Sequence, residues 1–339
     1  MKAIVYDRPG SFALRTVDDP AIRDDEVLLR VLVAGVCGTD LHLHDGEFGP
    51  TYPLTPGHEI VGEVRRRGNA VVGLEPGDRV VLDNTAACGH CVECRRARPA
   101  FCRRLLAQGV NAPGGFAELV VAAADRCFLV NDLDPDTAVF AEPTACVVHG
   151  LDVLRPAAGV DVLVFGAGPT GLLLTQLLVA TTGGTVTVAA PSAHKLELAA
   201  ALGARHVVPL DRAAPAHAAG ALRALAEDGF DVVVDATGAV PVLEQAIPLT
   251  RTGGTVFVYG MTPEAARWPV PAYEVFRREL TIKGSFAQQF SFDRALAALR
   301  LGTVRTEGLI THRFDLEHYG DALAAVAGSA CVKAVIDLR

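Results

Sequence analysis

The first 130 residues are filled with short apolar or alternating runs, at positions 3–6, 26–34, 59–65, 79–82 and 116–121. Runs of this length, bounded by turn residues, predict strands. Pro9-Gly10 and Pro76-Gly77 supply two of the turns. Many short strands with Gly and Pro between them predict a barrel or sandwich. The pattern changes near residue 143. Pro143 suits the first position of a helix, and positions 144–154 are helical in character and stop before Pro156. Strands and helices then alternate: strand 160–165, helix 170–180, strand 185–189, helix 194–202, then strands at 207–209, 231–235, 254–259 and 280–283. This alternation predicts a parallel sheet. Helices at 291–301 and 321–327 and a closing strand at 332–338 form a tail able to pack back on the first domain. The alanine-rich stretch 213–224 reads as loop and helix.

Length and charge narrow the class. A chain of 339 residues exceeds one ordinary core and predicts two domains. Half the residues are hydrophobic and 21% are charged, which excludes bulk disorder. A net charge of −8 argues against a general nucleic-acid binder. The basic runs Arg95, Arg96, Arg98 and Arg65, Arg66, Arg67 read as solvated surface. No run approaches the roughly 20 apolar residues of a membrane span, and the opening MKAIVYDRPG lacks the apolar stretch of a signal peptide. The expectation is a cytoplasmic protein without nucleic-acid or membrane partners.

The apolar strand Val162-Leu163-Val164-Phe165 runs into Gly166-Ala167-Gly168-Pro169-Thr170-Gly171, which opens a helix. That context turns a weak glycine pattern into a dinucleotide-binding signal. Gly166 permits the tight turn, Gly168 lets backbone approach a pyrophosphate, and Gly171 lets helix and strand pack closely. The helix start, with Pro169 and Thr170, offers free N–H groups to the phosphates. An acid closing the second strand would mark NAD. Here the strand leads into Ala190-Pro191-Ser192-Ala193-His194-Lys195, with Ala190 where the acid is expected. A carboxylate ~4 Å from a 2′-phosphate would repel it by roughly 4 kcal/mol per charge pair at intermediate dielectric. That barrier is missing, and Ser192, His194 and Lys195 are potential donors to a phosphate. NADP is therefore favoured over NAD, with Lys195 as an ordinary first-turn helix residue the bland alternative.

Four of the eight cysteines, Cys88, Cys91, Cys94 and Cys102, fall in one short segment. Four thiolates at that spacing suit a closed structural zinc site. An iron–sulfur cluster and a pair of disulfides are the rivals. A second group is scattered: Cys37-Gly38-Thr39-Asp40-Leu41-His42 after a strand, Gly57-His58-Glu59 before another, and Glu142-Pro143 at the domain junction. One thiolate, one imidazole and one or two carboxylates make a catalytic zinc site with room for a substrate oxygen. Taken singly, Cys37 also reads as a buried small hydrophobe, His58 as a hydrogen-bonded loop residue and Glu142 as a helix cap.

With these motifs in view the chain resembles the zinc-containing medium-chain dehydrogenase/reductase family, in its alcohol and polyol branch. CGTDLH at 37–42, GHE at 57–59, the four-cysteine lobe, AEP at 141–143, GAGPTG at 166–171 and IKGSFA at 282–287 stand in the family's order over nearly the whole chain. The resemblance implies an α/β protein of two domains. A GroES-like β-barrel catalytic domain would comprise residues 1–150 and 288–339, with the zinc lobe at about 84–112. A Rossmann doubly wound parallel sheet would occupy 151–287. It implies two zincs per chain. Cys37 and His58 would ligate the catalytic one, with Glu142 where alcohol dehydrogenases use a second cysteine, as in sorbitol and threonine dehydrogenases. Glu59 would ligate directly or exchange with water, and Cys146 is a competing ligand.

The activity implied is hydride transfer between a secondary alcohol (a polyol, sugar alcohol or cyclitol) and NAD(P). Zinc would act as Lewis acid, Thr39 would accept the hydroxyl proton, and a relay through the nicotinamide ribose would reach His42. Asp40 would position the loop or a ligand. By the same analogy Phe48, Tyr52 and Phe286 would line the substrate pocket. Threonine- or butanediol-type oxidation is an alternative within the family. A zincless reductase-like or quinone-binding relative and an inactive cofactor-binding regulatory protein are alternatives outside it. The family's habit implies a homodimer or homotetramer joined at the edge of the dinucleotide sheet.

Overall fold

The computed structural model describes residues 1–339. The chain divides into two compact units. The first comprises Met1–Ala145, Gln288–Leu301 and Thr306–Arg339, and the second Cys146–Ala287 with Gly302–Arg305.

The first unit is built on the long strand Glu26–Val36, most of whose residues are buried on both faces. In the sheet this strand lies between Lys333–Asp337 and Glu59–Arg67, both antiparallel to it. Arg79–Leu82 and Cys127–Leu129 extend the sheet on one side and Ile310–Phe314 on the other, while Leu119–Ala123 pairs with the first half of the long strand. The C-terminal strand is therefore next to the centre of the N-terminal sheet, because Val332-Lys333-Ala334-Val335-Ile336 carries the apolar run needed there. One core joins these strands: Val27, Leu29, Val31, Ile60, Val64, Phe116 and Ile336 meet Tyr319 from the helix Tyr319–Ala327. Full burial of such side chains contributes about 1.5–3 kcal/mol each. The hairpin Lys2–Arg8/Ser11–Thr16 joins through Ile4 and Tyr6.

The second unit holds six parallel strands. In sheet order they are His206–Pro209, Val186–Ala190, Val162–Phe165, Phe230–Asp235, Thr250–Val258 and Thr281–Gly284. Counted along the chain this is the order 3-2-1-4-5-6 of the doubly wound dinucleotide fold. Its strands are apolar without alternation, since helices cover both faces.

Three local features differ from the sequence expectations. The helix expected from residue 144 begins at Ala141 and runs to Leu154, so Pro143 is its third residue. This is tolerated because the first turn's N–H groups have no partner within the helix. The segment after Val36 is a seven-residue helix, Gly38–His44. Ser11–Thr16 and Ile310–Phe314 are strands that half-exposed, polar sequences did not announce.

Candidate metal centres and dinucleotide site

The scattered cluster is assembled by the first unit's central sheet. Glu59 pairs with Gly35 across the ladder, and Val335 pairs with Gly35 from the other side. The long strand ends at Val36, and Cys37 is the cap residue of the helix Gly38–His44. Asp40 Oδ2 accepts the backbone N–H of Cys37 at 2.8 Å, which fixes the cysteine's backbone. Asp40 Oδ1 faces His58 Nδ1 at 3.8 Å. His58, Glu59 and Asp40 are 5%, 1% and 1% exposed. The donor atoms of Cys37, His58 and Glu59 lie within 4.8 Å of one another.

The electrostatics of this cluster are unbalanced. Burial pushes the Asp40 carboxyl up to about 6, against the pull of His58. For His58 burial acts downward, but a hydrogen bond to Cys37 and the charges of Asp40, Cys37 and Glu142 outweigh it and raise the imidazole to about 10. Asp40 Oδ1, His58 Nδ1 and Glu59 Oε1 lack hydrogen bonds although buried, while Glu59 Oε2 is ion-paired with Lys333. Buried polar atoms in this condition are costly. A divalent cation fits the site on three counts. Thiolate, imidazole and carboxylate are zinc's own donors. A cation replaces the proton that the acidic surroundings otherwise fix on His58. Asp40 stands where a carboxylate orients a ligating histidine through its other nitrogen.

The four-cysteine cluster is local and half-exposed. Its sulfurs also lie within 4.8 Å of one another. Cys91 Sγ is 3.5 Å from Cys94 Sγ and 3.9 Å from Cys102 Sγ. A tetrahedron with metal–sulfur bonds of about 2.3 Å has sulfur–sulfur edges of about 3.8 Å, whereas a disulfide needs about 2.05 Å. These separations fit four thiolates around one metal and not a disulfide. Backbone N–H groups of Cys88 and Arg104 donate to Cys102 Sγ at 3.3 and 3.4 Å. The backbone N–H groups of Cys94 and Arg103 hold the Cys91 thiol down at about 6. The lobe is closed at its base by the pairing of Thr85–Ala86 with Leu106–Ala107, and Gln288 Nε2 donates to Asn84 Oδ1 at 2.8 Å.

In the second unit the glycine turn follows Val162–Phe165 and opens the helix Pro169–Thr182 with Gly168 as cap residue. A Cβ on Gly171 would lie 2.1 Å from Gly166 O, so this glycine is required by helix–strand packing. A Cβ on Gly168 would meet nothing within 4 Å. Packing does not require that glycine, and the open space above it suits the close approach of a pyrophosphate to backbone. Ala190 ends the second parallel strand at 2% exposure. Ser192 caps the helix Ala193–Ala201, which carries Lys195 in its first turn.

Comparison with known proteins agrees with this construction. Residues 23–132 match the alcohol dehydrogenase GroES-like domain family, and residues 169–301 match the zinc-binding dehydrogenase family. The chain is 42% identical to D-arabinitol dehydrogenase 1 of Uromyces fabae, over 99% of this chain and 97% of that protein. It is 35% identical to D-altritol 5-dehydrogenase of Agrobacterium fabrum, over 93% of each. A zinc-binding dehydrogenase from Sinorhizobium meliloti 1021, solved bound to NADP, superposes with a TM-score of 0.93 at 33% identity, covering 99% of this chain and 98% of that one. The chain belongs to the zinc-containing medium-chain alcohol and polyol dehydrogenases. It is a zinc-binding, NAD(P)-dependent oxidoreductase with a GroES-like and a Rossmann domain.

Within this dehydrogenase the remaining residues singled out in the sequence fall as follows. Thr39 Oγ1 lies 3.8 Å from Cys37 Sγ. His42 Nδ1 is 2.6 Å from Glu47 Oε2. Glu142, the second residue of the helix Ala141–Leu154, is 8% exposed. Its charge helps to raise both His58 and Lys333. Phe48 packs on Leu43, Ala107 and Val110, Tyr52 donates its hydroxyl to Leu43 O at 3.3 Å, and Phe286 is 40% exposed. Two side chains of the centre escaped sequence reading. Glu47 is hidden in a loop, and Lys333 in an apolar closing strand, where a single lysine surrounded by Val, Ala and Ile was the available signal.

Proposed function

We propose that this dehydrogenase oxidises a secondary hydroxyl of an acyclic polyol or sugar alcohol, holding two zincs per chain and favouring NADP over NAD. The observation that carries the reading is the convergence of buried Cys37, His58 and Glu59 donors within 4.8 Å, with Asp40 behind them. The names of the two curated relatives, an arabinitol and an altritol dehydrogenase, support the substrate class.

In this reading Cys37, His58 and a carboxylate from Glu59 or Glu142 hold the catalytic zinc, which supplies Lewis-acid polarisation of the substrate hydroxyl when bound. The four thiolates of Cys88, Cys91, Cys94 and Cys102 hold the structural zinc and leave no open position. The other steps belong to the chain. Thr39 Oγ1, beside Cys37, would accept the substrate hydroxyl's proton through a hydrogen bond while releasing its own proton onward towards His42. His42 follows nearly one turn later on the same helix. Its Nδ1 is engaged by Glu47, leaving Nε2 to pass the proton to solvent. Asp40 keeps Cys37 and His58 oriented. Gly166, Gly168, Pro169, Thr170 and Gly171 seat the pyrophosphate, and hydride acceptance is the nicotinamide's own chemistry. With Ala190 ending its strand, no carboxylate repels a 2′-phosphate, and Ser192 and Lys195 are its donors.

The same reading takes the chain as a cytoplasmic homo-oligomer. A thiolate cluster persists in a reducing compartment. The edge strand Thr281–Gly284 has an open ladder, with Ile282 39% exposed and Tyr273 and Phe276 nearby in sequence 70% and 79% exposed. No helix is long and apolar enough to cross a membrane.

The test is zinc content per chain together with NADP⁺ and NAD⁺ reduction on pentitols, hexitols, threonine and a butanediol. Two zincs with NADP⁺-dependent pentitol or hexitol oxidation is the expected result. A preference for NAD⁺ discards the Ala190 argument, and turnover confined to threonine or butanediol discards the polyol. Dinucleotide binding without turnover of any alcohol favours a regulatory role.

A further inference from the structure

The helix Gly38–His44 has seven residues. Isolated helices below about 12–15 residues are marginal in water, so its place is set from outside. Its polar residues divide by face. Thr39 and His42, three apart, share one side, and Asp40 and His44, four apart, share another. At 3.6 residues per turn, His42 and His44 are about 160° apart around the axis. Asp40 anchors the first end of the helix through the N–H of Cys37. His44 anchors the last end to the hairpin Lys2–Arg8/Ser11–Thr16. Its carbonyl oxygen accepts the N–H of Gly10 at 2.7 Å, and its Nδ1 is 2.9 Å from the hydroxyl of Tyr6. That hydroxyl is 3.3 Å from the hydroxyl of Tyr319. Both tyrosines are buried. Burial above all raises their phenols, which remain protonated, and the charge of Asp40 adds to the rise in each. The run Tyr319 to Tyr6 to His44 Nδ1 uses each O–H once. Phe12 packs on all three rings, with centroids 5.2 Å from Tyr6, 6.1 Å from His44 and 4.9 Å from Tyr319. The turn of the hairpin also presses on the chain leaving the helix. A Cβ on Gly46 would lie 2.6 Å from Pro9 Cγ.

We propose that Tyr6 and His44 are positioning residues for proton transfer. The bond between them fixes the last turn of the helix Gly38–His44, and with it the place from which His42 passes the proton of the substrate to solvent. The inference rests on the relay of Thr39 and His42 given under the proposed function. One face of the helix is bound to the hairpin and the sheet, and the opposite face carries the relay. A shift of the bound face therefore moves the relay face by the same amount. Misplacing a positioned group by about 1 Å can cost about a hundredfold in rate.

Tyr6→Phe removes the hydroxyl and keeps the ring between Phe12, His44 and Tyr319. The measurements on the whole enzyme are turnover of the pentitol or hexitol that the wild type oxidises, its response to rising concentrations of a tertiary-amine buffer at fixed pH, the Kd of the dinucleotide, zinc content and melting temperature. In Tyr6→Phe turnover is expected to fall about tenfold, short of the ~100-fold that a positioned acid or base contributes at least. Zinc content and the dinucleotide Kd stay at their wild-type values. The buffer restores turnover, because a dissolved base takes the proton that a displaced His42 does not, whereas the wild type does not respond to it. His44→Leu behaves like Tyr6→Phe. His44→Asn, whose Oδ1 stands where Nδ1 stood and accepts the Tyr6 hydroxyl, restores turnover without added buffer. A lower melting temperature with unchanged turnover in Tyr6→Phe and His44→Leu overturns the proposal, since the cluster then only holds the fold. A loss of turnover that the buffer does not relieve overturns it too. Should Tyr6→Phe fail to fold, the two His44 variants decide by the same signs. His42→Ala separates this inference from the reading beneath it. A buffer-relieved fall in His42→Ala, beside wild-type turnover in Tyr6→Phe and His44→Leu, overturns the role of Tyr6 and His44 alone. Unchanged turnover in His42→Ala overturns the relay itself.

Discussion

The two candidate metal centres of this dehydrogenase use the same element of chemistry, a cysteine sulfur, in opposite ways. The lobe takes all four ligands from one segment, Cys88 to Cys102, and satisfies its sulfurs with backbone N–H groups of the same loop. Three of its cysteines are half-exposed and Cys102 is buried, and its four sulfurs lie within 4.8 Å of one another. The Cys37 centre gathers ligands from the end of one strand, the start of a second and the neighbourhood of a third. It buries them and leaves several oxygen and nitrogen atoms without hydrogen bonds. In the proposed reading the local loop closes its metal and stabilises the fold, whereas the sheet holds a metal with a position to spare for substrate.

The largest effect expected from this contrast is at Cys37. Cys37→Ser should lower zinc from two to one per chain and reduce turnover about 10³-fold, since losing a Lewis acid forfeits several kcal/mol of transition-state stabilisation. The melting temperature should change little, because the central sheet around Gly35 does not depend on the sulfur. Turnover within tenfold of wild type would remove Cys37 from the chemistry. Cys94→Ser should also lower zinc to one per chain, with the reverse consequences. Losing a structural metal costs several kcal/mol, which at about 2–4 °C per kcal/mol means a melting temperature lower by about 10 °C. Turnover measured well below that temperature should stay within a few-fold. If Cys94→Ser abolished turnover in a folded protein, the division of labour between the centres would fail.

Asp40→Asn sharpens the comparison inside the buried centre. The amide keeps the size of the side chain and can still accept from Cys37 N–H, but it loses the charge facing His58. Zinc affinity or turnover should fall about tenfold to hundredfold, the usual scale for a residue that orients a ligating histidine. Equal zinc retention and equal turnover in the variant would reduce Asp40 to a helix-capping residue.

The same contrast governs what could be read in the sequence. The cysteine lobe and the glycine turn were legible because their residues are contiguous and their chemistry needs local geometry: sulfur spacing in one, and in the other a glycine on which a Cβ would lie 2.1 Å from a carbonyl oxygen. The parallel sheet was legible because strands buried on both faces are apolar throughout. The scattered centre was legible only in part. Cys37, His58, Glu59 and Glu142 were read as one zinc site from residue type and then from motif resemblance, and the structure brings the donors of the first three within 4.8 Å of one another. Lys333 showed only as a lone lysine in an apolar C-terminal strand, since nothing there reveals that its register sets it across Gly35 from Glu59. The helix Gly38–His44 was missed because seven residues carry too little periodicity to distinguish a helix from a turn.

The smallest effect expected tests whether the lobe is closed by sulfur alone. His90 lies between Cys88 and Cys91 in sequence, and structural zinc sites with three cysteines and one histidine are common. Residue type and spacing therefore allow it to replace one of the four thiolates. The structure turns its ring elsewhere: Nδ1 is 2.5 Å from Cys88 O, and Nε2 is against the Arg104 guanidinium. The side chain is exposed, so these contacts compete with water and contribute within about 0.5 kcal/mol, as surface positions usually do. His90→Ala should keep two zincs per chain and shift the melting temperature by no more than about 2 °C. If the variant instead lost a zinc and melted like Cys94→Ser, the lobe would be a mixed site with one cysteine released. A released thiol in a half-exposed loop would be reactive, and the contrast between a closed centre and an open one would disappear.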